Sequence, residues 1–329
     1  MDSGMIALLA VAGLLALAVA GALAWAITRP TRTSRPTPVR LGAQAAAPAD
    51  LPPPEQLGPY RIGHALGRGA MGVVYLAHDA EDRPVALKTL ALASEFDAVG
   101  LVEARARFFR EAETAQRLRH AGIVTVYGAG EDDGLAWIAM EYLPGEPLEA
   151  WTRPDRLLPL ADALAIVRQA ALALDYAHQH QVVHRDIKPA NLMYDPATRK
   201  IKLTDFGVAR LTDANHTRTG LVLGTPAFMS PEQLLGTHID GRSDLFSLGV
   251  LLYQLTTGHL PFNGDSLAEL MRAISHDAPK NPETYNPQMP APLTAIIMKA
   301  LQKDITTRFQ TGAQFALALA RLELALKGQ

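Results

Sequence analysis

The feature that most constrains this chain is a strongly apolar run without a charged side chain near its N-terminus, Met5–Ile27. As a helix it would extend about 34 Å, enough to cross the hydrocarbon core of a bilayer. Trp25 lies near one end of the run, where interfacial aromatic residues are frequent. The run therefore predicts a transmembrane helix at 5–27, with residues 1–4 as a short extracytoplasmic N-terminus.

A cleaved signal peptide is the alternative for this run, because AVA or ALA could serve as its cleavage site. However, the run is long, and residues 1–4 contain no Lys or Arg. On its other side lie Arg29, Arg32, Arg35 and Arg40, which the positive-inside rule assigns to the cytoplasm. We therefore expect a single-pass anchor in the inner membrane that contacts lipid through residues 5–27, with everything after it in the cytoplasm.

The composition of the remaining chain predicts a linker and argues against several kinds of site. Residues 28–59 are rich in Pro, Ala and Arg, which predicts a disordered linker. The net charge of -2 gives no electrostatic reason to expect nucleic-acid binding. The absence of Cys excludes a disulfide framework and Cys-based zinc sites, and it fits a reducing compartment.

Regular apolar patterning begins at Tyr60 and continues to about residue 326 without a second linker. The first part is rich in β-formers, and the part after residue 144 is mostly helical. Strands are predicted at 73–79, 84–90 and 135–143, and helices at 101–119, 160–179, 243–257, 266–276, 291–302 and 312–327. This order predicts an α+β fold with a small β-rich lobe (60–143) and a larger helical lobe (144–326).

Gly67, Gly69 and Gly72 form a G-x-G-x-x-G pattern, which alone is weak evidence for a nucleotide site. In a dinucleotide-binding fold a helix follows such glycines, but residues 73–76 predict a strand here. The glycines are therefore expected to cap a hairpin whose backbone amides could cover a polyphosphate. On this motif alone, an ordinary glycine-rich turn remains the alternative.

Lys88 ends a predicted strand, where a lysine is normally solvated. The helix predicted at 101–119 offers a partner, because Glu111 lies on or beside its apolar stripe. We therefore expect a Lys88–Glu111 ion pair that holds Lys88 against phosphates. The alternative is an exposed helical pair between Glu111 and Arg107, worth about a few tenths of a kcal/mol.

A cluster of both charge signs lies between apolar shoulders in VVHRDIKPANLMYD, residues 182–195. Burying unpaired charge is costly, so a chemical role must explain the cluster. Further motifs follow it in the order Asp205-Phe206-Gly207, Gly224-Thr225-Pro226, Ser230-Pro231-Glu232 and Asp244.

With these motifs in this order, residues 60 to about 325 resemble the eukaryotic-type (Hanks-type) protein kinase family, particularly its bacterial Ser/Thr members. The resemblance implies a bilobal kinase fold. It also implies transfer of the ATP γ-phosphate to Ser/Thr hydroxyls of protein substrates, with Mg²⁺ or alternatively Mn²⁺ as the metal. Ser230 stands where the family has Ala, a departure we expect to be tolerated.

The resemblance assigns roles within the cluster. Asp186 would accept or orient the proton of the substrate hydroxyl, and Lys188 would steady the γ-phosphate. Asn191 and Asp205 would bind Mg²⁺, which prefers oxygen ligands. The ring of His184 would pack near Phe206 instead of taking part in proton chemistry.

The resemblance also implies an ATP site between the lobes, with Met140 controlling its back pocket and Glu141 and Leu143 offering hinge backbone groups. The residues expected to contact ATP are Leu66, Gly67, Arg68, Gly69, Ala70, Met71, Gly72, Val73, Val74, Ala86, Lys88, Met140, Glu141, Leu143 and Met193. For Val74, Ala86 and Met193, ordinary core packing remains the alternative.

The segment at 213–220 is polar and contains two closely spaced hydroxyls, Thr217 and Thr219. We expect autophosphorylation there, with one copy of a homodimer acting on the other. Arg185 would receive the phosphate, because a guanidinium group binds phosphate in a bidentate way. Thr225 is expected to hydrogen-bond the catalytic loop at the substrate platform and not to act as the switch.

Two other functions compete with protein phosphorylation. A non-catalytic scaffold of the same fold would be favoured if Lys88, Asp186 or Asp205 were replaced, but all three are present. A small-molecule phosphotransferase is disfavoured because segments 224–226 and 230–232 resemble a protein-substrate platform. Asp244 and a Glu232–Arg308 pair are expected to support the loops structurally.

Overall fold

The computed structural model describes residues 54–69, 72–92, 98–132, 134–206 and 226–328. Within these ranges a β-rich part precedes a helical part, as the patterning predicts. The strands are β1 (Gln56–Leu57), β2 (Tyr60–Gly69), β3 (Gly72–His78), β4 (Pro84–Leu90), β5 (Val126–Asp132), β6 (Leu135–Glu141), β7 (Glu146–Pro147), β8 (Leu192–Asp195) and β9 (Lys200–Leu203). The α-helices are α1 (Ala98–Gln116), α2 (Leu160–Gln179), α3 (Pro231–Leu234), α4 (Gly241–Thr257), α5 (Leu267–His276), α6 (Ala291–Ala300) and α7 (Gly312–Lys327).

The small lobe is an antiparallel sheet in the order β1-β2-β3-β4-β6-β5 with α1 packed on one face. Alternation along β4 and β6 sends Ala86 and Ile138 to the α1 face and Leu87 and Ala139 to the other. On α1, the predicted apolar stripe is confirmed because Phe108, Ala112 and Ala115 are all buried.

The glycine-rich pattern lies on a hairpin, as predicted, because β2 pairs with β3 and Gly69 stands opposite Gly72. Gly72 has a φ of 154°, and a Cβ at this position would collide with the carbonyl oxygen of Thr89. Only glycine fits this close approach. Ala70 and Met71, at the tip, lie outside the described residues.

The large lobe is built around α4. The side chains of this helix are buried on nearly all of its sides, among them Phe246, Leu248 and Leu252. A helix that is apolar all round belongs at the centre of a helical domain. α2 packs against both α4 and α7, and a small sheet of β7, β8 and β9 covers the side that faces the first lobe's hinge strand. β8 of this sheet carries the C-terminal end of the charged cluster.

The boundary between linker and domain differs from the prediction. Residues 56–59, assigned to the linker from composition, include β1, and Leu57 is only 3% exposed. Leu57 packs beneath the sheet face opposite α1, so apolar contact and not local composition fixes the boundary. No helix within the described ranges is long and apolar enough to cross a bilayer, and the predicted span at 5–27 lies outside them.

Candidate active site

The backbone of the charged cluster is held by one buried carboxylate, Asp244, in the first turn of α4. Asp244 accepts hydrogen bonds from the amides of His184 (2.8 Å) and Arg185 (2.7 Å). His178 Nε2, at the end of α2, donates to the same carboxylate at 2.8 Å. Arg185 has a φ of 68°, a costly conformation for a residue with a Cβ, and these bonds stabilise it.

The side chains of Lys188 and Asn191 both contact the Asp186 carboxylate. Lys188 Nζ lies 2.8 Å from Asp186 Oδ2, and Asn191 Nδ2 donates to the same oxygen at 2.8 Å. Asn191 also donates to the Asp186 carbonyl oxygen at 2.7 Å, which closes the loop on itself. Asp186 is therefore presented in a fixed orientation by a cation and a neutral amide.

His184 is fully buried and serves the structure, as expected. Its Nε2 donates to the Thr204 carbonyl oxygen at 2.8 Å, and its Nδ1 accepts from the Asp186 amide at 3.3 Å. Its ring lies 4.5 Å from that of Phe206, centroid to centroid. His184 thus links the loop bearing Asp186 to the segment bearing Asp205.

Lys88 does not form the predicted ion pair with Glu111, although the structure describes both residues. Lys88 Nζ instead lies 2.7 Å from Asp205 Oδ1. Burial by itself would raise the pKa of Asp205, but the adjacent Lys88 ammonium outweighs this and holds the pKa below its ordinary value. Asp205 attracts Lys88 because an ionised carboxylate in this partly buried position needs a cation.

A pocket lies behind this ion pair, between the sheet and α1. It is lined by Lys88, Glu111, Met140, Asp205 and Phe206, together with apolar side chains of the main core. Glu111 therefore faces the same cavity as Lys88, and Met140 lines it as expected of a residue that controls a back pocket.

The sheet register brings several predicted ATP contacts together. Val74 stands opposite Lys88, and Ala86 stands opposite Met140. Leu66, on β2 of the glycine-rich hairpin, is 42% exposed.

The hinge strand carries a polar contact that sequence reasoning missed. Glu141 Oε2 lies 2.6 Å from Lys202 Nζ on β9 and accepts from the Thr125 amide at 3.2 Å. Glu141 was predicted to offer only backbone groups to ATP, whereas its side chain ties β6 to the strand that precedes Asp205. The residues are far apart in sequence, and no local pattern indicates the contact.

The expected metal ligands fit a magnesium ion in their donor chemistry. Asp205 supplies carboxylate oxygens, and the Asn191 amide uses its nitrogen for Asp186, which leaves its oxygen as the donor. Thr204 N donates to the Asn191 carbonyl oxygen at 2.9 Å, which brings the two segments together. In the described ranges no three or more His, Cys, Asp or Glu side chains form a metal cluster, so phosphate or water oxygens would complete the coordination.

Below the cluster, the predicted Glu232–Arg308 pair is confirmed. Arg308 donates to both carboxylate oxygens, at 2.7 and 2.9 Å, and Ser243 Oγ adds a third bond at 2.6 Å. Burial would raise the pKa of Glu232, but Arg308 and Ser243 lower it overall. Next to this pair, Gln233 Nε2 donates to the Arg185 carbonyl oxygen at 2.8 Å, so the loop is held from both sides.

Thr217, Thr219 and Thr225 lie outside the described residues, as does Gly207. Their predicted roles stay predictions.

Comparisons with known proteins agree with this geometry. A sequence model described as the protein kinase domain matches residues 60–318. The serine/threonine-protein kinase PknJ of Mycobacterium tuberculosis is 41% identical over 268 residues, covering 79% of this chain and 45% of the relative. The serine/threonine-protein kinase PrkC of Bacillus subtilis is 40% identical over 258 residues, covering 77% and 39%.

Among solved structures, the crystal structure of Rad53 1–466 in complex with AMP-PNP matches with a TM-score of 0.65 and 26% identity, covering 78% of this chain and 64% of that one. This chain spans less than half the length of the two bacterial relatives. The family match covers most of the chain and includes every described element of the site. The chain therefore belongs to the protein kinase family, with bacterial serine/threonine kinases among its relatives.

Proposed function

We propose that this chain transfers the γ-phosphate of ATP to Ser or Thr hydroxyls of proteins. The observation that carries the proposal is the arrangement of Asp186, bonded by Lys188 and Asn191 beside the Lys88–Asp205 pair. Phosphoryl transfer requires positioning and charge neutralisation more than covalent chemistry. These residues supply an oriented carboxylate and two ammonium groups in one place.

The proposed chemistry assigns each charge a task. The substrate hydroxyl oxygen bonds to the γ-phosphorus as the bond from that phosphorus to the bridging oxygen breaks, and ADP leaves. Asp186 takes the hydroxyl proton, while Lys188 and Lys88 offset charge on the phosphates. Asn191 and Asp205 would hold Mg²⁺, which neutralises phosphate charge when bound.

A phosphorylation assay tests this function against its two alternatives. Wild-type chain and an Asp186→Asn variant are incubated with labelled ATP, Mg²⁺ and a generic protein substrate. We expect label in Ser and Thr with the wild type only. A scaffold would transfer none, and a small-molecule phosphotransferase would label small acceptors but not protein.

We also propose that residues 5–27 anchor the kinase in the inner membrane with the kinase domain in the cytoplasm. The uncharged run and the four arginines that follow it support this topology. Protease added to spheroplasts should leave the kinase domain intact. Digestion from outside would contradict the topology, and an N-terminus beyond residue 20 in the isolated protein would indicate a cleaved signal peptide.

Autophosphorylation at Thr217, Thr219 or both is the regulation we propose. A phosphate adds close to two negative charges, and Arg185 is suited to receive it. The backbone of Arg185 is held by Asp244 at its amide and Gln233 at its carbonyl, so its side chain projects from a rigid base.

Mass spectrometry of wild-type and Asp186→Asn protein should show phosphate on these threonines in the wild type only. A Thr217→Ala/Thr219→Ala double variant should then lose most of its activity. Thr198→Ala, which removes an exposed threonine in the turn between β8 and β9, is the matched control. Wild-type turnover in the double variant would contradict the switch.

A further inference from the structure

The segment that enters the kinase domain, residues 55–60, crosses the face of the small-lobe sheet opposite α1. We call it the strap. Its β1 portion pairs with β2 at one edge of the sheet, yet the Gly58 amide donates to Asp132 Oδ2 at 2.8 Å. Asp132 ends β5, the strand at the opposite edge. The strap therefore joins the two edges of the sheet across its outer face.

Several close contacts fix the strap. Trp137 Nε1 donates at 2.7 Å to the same Asp132 oxygen that the Gly58 amide uses. The rings of Tyr60 and Trp137 pack edge to face at 5.6 Å. A Cβ on either Gly58 or Gly130 would collide with the Trp137 ring, so strap, ring and β5 are packed without spare room. Such packing transmits small shifts instead of absorbing them.

The residue next to Asp132 connects the same end of β5 to α1. Glu131 accepts from Arg105 of α1 through both carboxylate oxygens, at 2.7 Å from Nε and 2.6 Å from NH2. Glu131 is only 13% exposed, and a bidentate guanidinium–carboxylate pair fixes orientation as well as distance. One strand end is thus bonded to the strap through Asp132 and to α1 through Glu131.

We propose that the strap positions α1 through this strand end, with Asp132, Glu131 and Arg105 as positioning residues for Glu111. Glu111 lies on α1 and faces the pocket that contains Lys88. The consequence for catalysis rests on the proposed function, whereas the coupling of strap to helix does not.

Hydrogen exchange of the full chain measures the coupling without requiring activity. Asp132→Ala should speed exchange of α1 amides by about tenfold, while amides of α4 and α7 change little. Asp132→Asn keeps one acceptor oxygen and should restore part of the protection. Arg117→Ala is the matched control, because its exposed pair with Glu113 joins α1 only to the residue that follows the helix and should change exchange by less than about twofold.

A double-variant cycle decides whether Asp132 and Arg105 act along one route. If they do, Asp132→Ala combined with Arg105→Ala should speed α1 exchange no more than the stronger single variant. If the double variant speeds α1 exchange by the product of the two single effects, the proposal is overturned. It is also overturned if Asp132→Ala leaves α1 exchange unchanged, or if it speeds exchange in α4 and α7 as much as in α1. If Asp132→Ala does not fold, Asp132→Asn takes its place in the cycle.

The same variants separate this proposal from the proposed function. If the strap positions Glu111 in an active kinase, Asp132→Ala should lower kcat by about five- to tenfold, and Arg117→Ala should not. If Asp132→Ala loses α1 protection but the wild-type chain transfers no phosphate, the kinase function is refuted and the strap is supported. Unchanged protection in an active chain would refute the strap alone.

Discussion

The two halves of the site are held in different ways. In the large lobe, the loop bearing Asp186 is bonded at several points to Asp244 and Gln233, which lie on helices of the core. In the small lobe, the ionic partner of Lys88 among the described residues is Asp205, which comes from the other lobe. Glu111, the predicted partner, lines the same pocket as Lys88.

This difference indicates which half must rearrange before transfer. The large-lobe half already orients the Asp186 carboxylate. Moving the loop that bears Asp186 would break buried hydrogen bonds, which are costly to leave unmade. If the chain transfers phosphate as proposed, the Lys88–Asp205 pair must exchange partners for Lys88 to reach phosphate and for Asp205 to reach a metal. Under that function, the rearrangement involves mainly Lys88, Glu111 and α1.

The largest effect is expected at the ion pair that both halves share. Lys88→Met or Asp205→Ala should lower phosphate transfer about 10³-fold or more, because Lys88 would offset charge on the phosphates and Asp205 would hold the metal ion. Turnover at saturating ATP and Mg²⁺ measures it, with the exposed Lys200→Met as a matched control. Near-normal turnover in either variant would show that these residues do not hold phosphate or metal.

The second effect tests the rigidity of the large lobe. Arg308→Met leaves Glu232 buried without its cation and should lower the free energy of unfolding by about 3–5 kcal/mol, measured by urea titration. Adding Glu232→Gln should recover part of the loss. A cost below about 1 kcal/mol would mean that the pair does not support the loop.

The pH dependence of this variant has a defined sign. The pKa of Glu232 is lowered in the folded state, so its stabilisation is present above the ordinary value of 4.5 and is lost as pH falls through the lowered pKa. Wild type should therefore lose stability in that acidic window. Arg308→Met should lose less there, because the cation that lowers the pKa is gone.

The third effect concerns Glu111, the predicted partner of Lys88. If transfer needs a Lys88–Glu111 pair, Glu111→Gln should lower kcat by about tenfold, since the amide still offers an oxygen but no charge. Glu113→Gln, on the exposed side of the same helix, is the matched control. Equal activity of the two variants would show that transfer does not need the charge of Glu111.

Sequence patterning predicted the regular elements well where burial is periodic. β4 and α2 begin and end at the predicted residues, because Pro84 opens a short apolar run and Leu160 opens a run with helical spacing. β5 was missed. It contains Gly128 and Gly130, and what makes it a strand is pairing with β6 and the Trp137 ring lying on Gly130.

At the site, the charged cluster was visible because charges between apolar shoulders are unusual. Its supports were less visible, since the contact of His178 with Asp244 joins residues distant in sequence and a histidine near a helix end has no special local pattern. The contact of Lys88 with Asp205 was not predicted, for a related reason. Sequence shows that a strand lysine can reach a carboxylate, but the packing of α1 decides which one.

The smallest effect concerns another buried charge of the large lobe, Lys303. Its ammonium donates to the carbonyl oxygens of Ala273 and Ile274 near the end of α5 and lies 3.7 Å from the centroid of the Phe262 ring. Burial lowers its pKa from 10.5 to about 8. Between these pH values the unfolded chain binds more protons than the folded one, so this group makes stability rise with pH.

After a discount for solvent screening, the gain should be about 1 kcal/mol, measured as the difference between wild type and Lys303→Met in urea unfolding from pH 8 to 10.5. Lys327→Met, at the exposed end of α7, should show no such difference. If the stability difference between wild type and Lys303→Met does not change from pH 8 to 10.5, the Lys303 ammonium stays well solvated. The large lobe is then less rigid around α5 than around Asp244.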